Sequence, residues 1–303
     1  MNENNIMITV FTPTYNRGYC LNRAYQSLIR QTCQEFTWLI IDDGSTDNTK
    51  DLVASWQQEG KIPIRYIYKE NGGMHSAHNT AHAHIDTEFC ICLDSDDMLT
   101  DDCIESVLVF WEKNKAYHSQ VAGIIAEDGY ISGGVIGSHL PDDMLMASED
   151  YLREVMGIKG DKKIIFKSEC ANMVPPYPEF YGEKFGSMAF KRRLIEVELG
   201  LKWLVMPRIV YLVEYMDDGA TKNMYNLYTH SFHGWDIERR HAMQYSLTFK
   251  RRFLSAIHYV SNSIFLRKKR FISDSPRKIL TIAAIPFGVA LNLLIRFKTR
   301  KHS

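Results

Sequence analysis

Residues 89–98 read FCICLDSDDM, five apolar residues followed by three acids within four positions. The apolar half reads as a short buried strand. Its exit holds more negative charge than a turn requires. Helix capping explains part of it: Thr100 or Asp101 can cap a helix expected over 102–113, and acids near a helix start favour its dipole. That accounts for Asp101 and Asp102 but not for Asp94, Asp96 and Asp97. A calcium loop counted from Asp94 puts Glu105 at the twelfth position, yet Met98 falls on a ligand position and Leu99 where the sharp turn needs glycine, so that reading is excluded. A divalent cation shared with a phosphorylated ligand needs only one or two protein carboxylates, and Asp94 and Asp96, two apart on an extended exit, point to one side. From this stretch alone, capping and cation binding both stay open.

Outward from it, the chain alternates strands and helices. Ile6–Phe11 is a β-branched run ended by TPTYNR, and 19–29 has apolar residues at helical spacing. Phe36–Ile41 is a second strand stopping at Asp42-Asp43-Gly44-Ser45. A helix is expected over 46–58, a strand over Ile64–Tyr68, and a short helix over 75–84. Strands are also expected at Val121–Ala126 and Ile164–Lys167, with a helix near 189–199. Such alternation predicts an α/β fold with a mostly parallel central sheet flanked by helices, a Rossmann-like arrangement in which ligands bind beyond the carboxyl ends of the strands. All four early strands end in polar, Gly- or Asp-rich segments.

The chain has 303 residues, 45% hydrophobic and 24% charged, with formal net charge zero. The charge is unevenly placed: residues 247–303 carry 13 Lys/Arg against one acid, Asp274, while 1–246 hold 23 basic and 35 acidic side chains. A basic tail on an acidic body calls for an anionic partner. No cysteine pair has zinc-ligand spacing, so reduced thiols in a cytoplasmic setting are expected. The start, MNENNIMITVF, lacks a basic region and a long apolar run, so no leader peptide is expected. Of His75, His78, His82 and His84, the first three share a helix face only loosely and no acid or thiol completes a metal set, so the four are expected to face solvent or a partner.

The segments TPTYNR (Thr12–Arg17), IDDGSTDNT (Ile41–Thr49), ENGGMHSAHNTA (Glu70–Ala81) and LDSDD (Leu93–Asp97), in this order at successive strand ends, resemble the family 2 glycosyltransferases of the GT-A fold, and most of all the bacterial enzymes that build surface polysaccharides. The resemblance covers residues 6–113. It implies an inverting transfer from a nucleotide-sugar donor, UDP-linked, to a hydroxyl of a glycan or lipid-linked glycan. It also implies nucleotide-sugar contacts from Thr12, Pro13, Thr14, Asn16, Arg17, Asp42, Asp43, Gly72, Gly73, Asn79, Asp94 and Ser95. Asp94 and Asp96 would hold Mn²⁺ or Mg²⁺. For Asp42, a structural role capping the Ser45–Thr49 turn is an equal alternative. The family places its catalytic acid within 177–188, commonly in a Glu-Asp pair. Here the pair is Glu183-Lys184, so Glu183 is the expected base and Glu179 the reserve. Glu214–Thr221 resembles the family segment that folds over the diphosphate.

The expected organisation is a GT-A domain over 1–225, with a nucleotide-sugar half (1–113) and an acceptor half (114–225), then a helical, basic C-terminal region over 226–303. Within the latter, Ile279–Ile295 is a 17-residue uncharged run with Pro286 in its middle and basic clusters on both flanks. That pattern suits a bent, re-entrant or interfacial segment at an anionic membrane surface, which places the protein at the cytoplasmic face of the plasma membrane. A buried core helix is the competing reading. Aromatics are not interleaved with the basic residues, so nucleic acid is not expected as a partner. A sugar-phosphate nucleotidyltransferase fits less well, because TPTYNR stands where its Gly-rich phosphate loop would be. An inactive membrane-bound sugar-binding or scaffold protein is a further alternative.

Overall fold

The computed structural model describes residues 6–214 and 230–300. The first half runs β1 (Ile8–Thr14), α1 (Asn22–Ile29), β2 (Phe36–Asp42), α2 (Thr49–Glu59), β3 (Ile64–Tyr68), α3 (Met74–His84) and β4 (Phe89–Cys92). There follow β5 (Met98–Leu99), α4 (Cys103–Lys113), β6 (Val121–Tyr130), β7 (Met146–Ala147), β8 (Lys162–Lys167), α5 (Ser168–Met173), α6 (Ala189–Glu198) and β9 (Lys202–Val213). Three helices close the chain: α7 (Phe232–Tyr245), α8 (Phe249–Phe265) and α9 (Lys278–Arg300).

One sheet joins the strands in the order β3-β2-β1-β4-β8-β6-β9-β5, with β7 also on β9. The first four are parallel, as their helical crossovers require. Beyond them the sheet is mixed, because β8 inserts between β4 and β6 antiparallel to both, while β6 and β9 run parallel. Period-2 alternation divides the core. Ile8, Val10, Trp38, Ile40, Phe89 and Ile91 face α1, α2 and α4. Phe11, Leu39, Ile41 and Cys90 face α3, α5 and α6. β1 runs on through Thr14, where an exit loop was expected after Phe11. Proline is tolerated there because β1–β4 pairing ends at Phe11↔Cys92, so the missing N–H of Pro13 faces the place β4 has left. All six cysteines are free.

The C-terminal helices pack on one another and inverted with respect to a water-soluble core. α9 is continuous through Pro286. It buries Thr281, Ala284, Gly288, Asn292 and Ile295 against α8, while Ile279, Ile282, Phe287, Leu293 and Leu294 are exposed. Asn292 Nδ2 donates to the Ser261 carbonyl at 3.0 Å. The buried side thus holds small and polar residues together with Ile295, and the exposed side large apolar ones. The helix is long and apolar enough to cross a membrane by length and composition. The expected boundary at 225/226 lies outside the described residues, as does the expected diphosphate-covering segment from Tyr215 onward.

Candidate active site

The loops leaving β1, β2 and β3 are tied to each other by side chains expected to meet a nucleotide. Asp43, buried at the end of β2, accepts from Lys69 Nζ (2.7 Å) and the Gly72 amide (2.9 Å) on one oxygen and from the Gly73 amide (2.7 Å) on the other. Its carbonyl accepts from Asn71 Nδ2 at 2.8 Å. The Gly72-Gly73 turn thus wraps a carboxylate of the protein itself. A Cβ on Gly73, at φ 91°, would lie 2.4 Å from the Lys184 carbonyl. Asp42 accepts from the Ser45 amide (2.7 Å) and the Tyr66 hydroxyl (2.5 Å), so it holds the Ser45 turn, the structural alternative weighed above. Asn16, in the left-handed region at φ 52°, accepts from the Thr46 amide at 2.7 Å.

Two expected contacts need correction. Thr12 is fully buried and its hydroxyl accepts from Trp38 Nε1 at 2.9 Å, because alternation along β1 turns it to the core. Asn79 clamps the 177–179 segment rather than a sugar: its Nδ2 donates to the Tyr177 carbonyl (2.8 Å) and to Glu179 (2.7 Å), and its oxygen accepts from the Tyr177 amide (2.8 Å).

Beyond β1 and β4 opens a cavity of about 760 Å³, lined by Pro13, Thr14, Arg17, Asp43 and the whole exit from Asp94 to Asp97. Tyr211 of β9 organises that exit. Its hydroxyl accepts from the Asp94 amide (2.9 Å) and lies 2.9 Å from Asp97 Oδ2 and 3.3 Å from Asp94 Oδ2. Burial, then the charges of Asp94 and Asp96, push the Asp97 carboxyl up to about 7. Asp97 is buried against the Tyr211 hydroxyl and acts as a strut of the exit, while Asp94 and Asp96 also line the cavity. Lys163 of β8 projects among them, donating to the Cys92 carbonyl at 3.2 Å and lying over the Tyr211 ring. Although burial opposes it, Asp128 and Asp94 strengthen the hold of Lys163 on its proton. Asp128 is buried, raised by that burial to about 6.

A second cavity, about 990 Å³, adjoins the first and shares with it Met74, Arg153, Asp161, Met188 and Arg192. Its floor is a matched charge lattice. Glu149 pairs with Arg153 (2.7 Å) and Arg192, and Arg193 with Asp150 (3.1 Å) and Glu238 (3.4 Å). Against the cost of burial, Arg192 and Arg153 hold Glu149 down at about 2. Glu183, the expected base, lines neither cavity. One of its oxygens accepts from the His233 amide (2.9 Å) and lies 2.7 Å from His233 Nδ1, and the other accepts from the Gly234 amide (2.9 Å). Those amides open α7, so Glu183 is a helix-terminus acid. Glu179, the reserve, is held by Asn79. Lys184 reaches the Asn71 carbonyl and ties the 177–188 segment to the loop after β3.

Of the α3 histidines, His84 is exposed as expected, but the other three are not solvated. His75, His78 and His82 are buried, with His78 and His82 packed around Phe11 and Tyr177. Burial lowers His78 to about 4 and His82 to about 2, so both are neutral core rings. Their spacing beside Ala77 and Ala81 was the signal. Among the described residues no three His, Cys, Asp or Glu side chains form a metal-holding group. Lys163, Tyr211, Asp128 and Asp161 were missed, since strands far apart in sequence bring them to the cavity.

Residues 9–139 match the family model described as glycosyl transferase family 2. An uncharacterized glycosyltransferase of Rickettsia conorii is 36% identical over 119 residues, which is 39% of this chain and 19% of that protein. The GalNAc(5)-diNAcBac-PP-undecaprenol beta-1,3-glucosyltransferase of Campylobacter jejuni is 24% identical over 230 residues, covering 73% of this chain and 70% of that one. Among solved structures, S. aureus TarS 1–349 in complex with UDP-GlcNAc superposes with a TM-score of 0.57 at 17% identity, over 92% of this chain and 79% of that one. The mannosyltransferase PcManGT from Pyrobaculum calidifontis, in complex with GDP-Man and Mn²⁺, gives 0.52 at 17% identity, over 93% and 73%. The matches to the Rickettsia conorii, Rickettsia felis and Nostoc relatives span less than a third of those proteins' lengths. The fold is of the GT-A type with a helical C-terminal extension, and residues 9–139 are similar to the family 2 glycosyltransferases.

Proposed function

We propose that this chain is an inverting glycosyltransferase that moves a sugar from a UDP-linked donor to a hydroxyl of a lipid-linked glycan, in the building of a surface polysaccharide at the cytoplasmic face of the membrane. The observation that carries this reading is the cavity where the Asp94–Asp97 exit meets the β1 and β2 loops, continuous with a second cavity large enough for a glycan. Pro13, Thr14, Arg17, Asp43 and Ser95 line the donor side. Asp42, Asn16, Gly72 and Gly73 act behind them, shaping the loops through the bonds described above.

Asp94 and Asp96 would hold a divalent cation, Mn²⁺ or Mg²⁺. The residues fit: two cavity-facing carboxylates suffice for a cation whose other positions go to diphosphate oxygens and water, and such a site forms no three-residue protein cluster. When bound, the cation neutralises the departing diphosphate. Tyr211 fixes the backbone carrying both acids, so that site is preorganised. An inverting displacement needs one base, touching donor and acceptor sides together. Asp161 is the acid that lines both cavities among the described residues, and we assign it that role. The 1–225 catalytic and 226–303 membrane-facing division follows, with the outer face of α9 against anionic lipid.

The test is UDP binding and UDP-sugar turnover, with and without Mn²⁺, by the full chain and by Asp96→Ala. The variant is expected to lose turnover and the metal-dependent part of UDP affinity. Full activity in excess EDTA would remove the cation, and failure of the wild type to bind UDP would remove the transferase reading.

A further inference from the structure

On the floor of the second cavity Glu149, Asp150, Arg153, Arg192, Arg193 and Glu238 are ion-paired with one another, while one wall carries two cations beside Glu154, whose carboxylate accepts from the Thr248 amide and hydroxyl. Lys250 and Arg251, at the start of α8, line the cavity and carry no ion pair among the described residues. Leu254, one turn on and 43% exposed, lines it beside them. The adjacent face of α8 carries Phe249, 70% exposed, stacked on Phe253 at 5.9 Å. Phe253 meets Phe287 of α9 edge-on at 5.7 Å. Two cations without an ion pair among the described residues therefore stand where the polar cavity ends and an aromatic track toward the apolar outer face of α9 begins.

We propose that this junction binds the lipid diphosphate of the acceptor: Lys250 and Arg251 take the diphosphate, and Phe249, Phe253 and Phe287 take the first part of the hydrocarbon chain. A free anion would use the cations but not the track, and a neutral lipid the track but not the cations. A molecule with both parts, its glycan extending into the cavity toward Asp161, uses the whole surface. The shared residues Arg153, Met188 and Arg192 mark where that glycan reaches the donor side. This rests on the transferase reading given above and adds the position and chemistry of acceptor binding.

The probe is farnesyl diphosphate, titrated into the full-length chain in detergent micelles with UDP saturating so that the donor cavity is occupied. Farnesyl diphosphate is expected to bind at least about tenfold tighter than farnesol or inorganic pyrophosphate. Lys250→Ala/Arg251→Ala should weaken it by about tenfold or more with UDP affinity unchanged, and Lys250→Arg/Arg251→Lys should retain it. Phe249→Ser/Phe253→Ser should reduce its affinity to that of pyrophosphate. Farnesyl diphosphate binding no tighter than farnesol means partition into lipid alone and overturns the site, as does an unaffected double alanine variant. If UDP binds and farnesyl diphosphate does not, only the acceptor site fails. If neither binds, the transferase reading fails first.

Discussion

Glu183→Gln separates a catalytic acid from a helix-terminus acid. In the wild type, one oxygen serves the His233 amide and ring nitrogen, and the other serves the Gly234 amide. Glutamine keeps one acceptor for His233 but sets an NH₂ donor against the Gly234 N–H. That loses one charge-assisted bond, worth about 1.5–3 kcal/mol, and the favourable charge at the start of α7, worth about 0.3–1 kcal/mol. The side chain is only 10% exposed, so water restores little. A stability loss of roughly 2–4 kcal/mol is expected, read as a lower urea midpoint with unchanged slope. Turnover per folded molecule should stay within a few-fold of wild type. A kcat fall of ~10²–10⁴ at unchanged stability would show Glu183 to be the base and refute the structural assignment.

Asp161→Asn should lower kcat by ~10²–10⁴ while leaving UDP affinity intact; near-normal turnover in a steady-state assay removes Asp161 from the chemistry. Glu196 gives a pH test. Burial, then the charges of Glu149 and Asp150, raise its carboxyl from 4.5 to about 7, so folding favours its protonated form and its cost appears as pH rises from about 4.5 to 7. Its one oxygen accepts from both the Glu149 amide and Trp203 Nε1, which glutamine can reproduce. Glu196→Gln should therefore stabilise by ~1–3 kcal/mol at pH 8 and by almost nothing at pH 4.5, and an equal shift in urea melts at both pH values contradicts the sign. Gly288→Leu places a side chain where a Cβ already lies 2.5 Å from Val260 Cβ, so α9 should separate from α8 at a cost of ~1–3 kcal/mol. Unchanged protease resistance of α9 in detergent would count against that packing.

The first four strands and their helices were legible because apolar alternation and polar strand ends are local signals, and the boundaries fell within a few residues of those seen. The antiparallel entry of β8 was not, since KKIIFK pairs equally well in either direction and only distant strands decide. Bonds to the protein's own backbone were illegible for the same reason. Asp43, Asn79 and Glu183 bear the carboxylates and amides a ligand would want, and sequence does not say that Gly72, Tyr177 or Gly234 takes them first. His75, His78 and His82 were misread because polarity was weighed above their helical spacing. Lys163 and Tyr211, which organise the acidic exit, stand 69 and 117 positions beyond Asp94.

The inside-out helix also governs how this protein behaves at the bench. Gly288 and Asn292 face inward while Ile282, Phe287 and Leu293 face outward, so water meets a long apolar stripe with no partner to cover it in the described structure. Stripes of that kind drive self-association whenever lipid or detergent is withdrawn. A sedimentation or gel-filtration mass taken in plain buffer would therefore record the aversion of α9 to water, and stoichiometry becomes meaningful only after that stripe has been given a solvent it prefers.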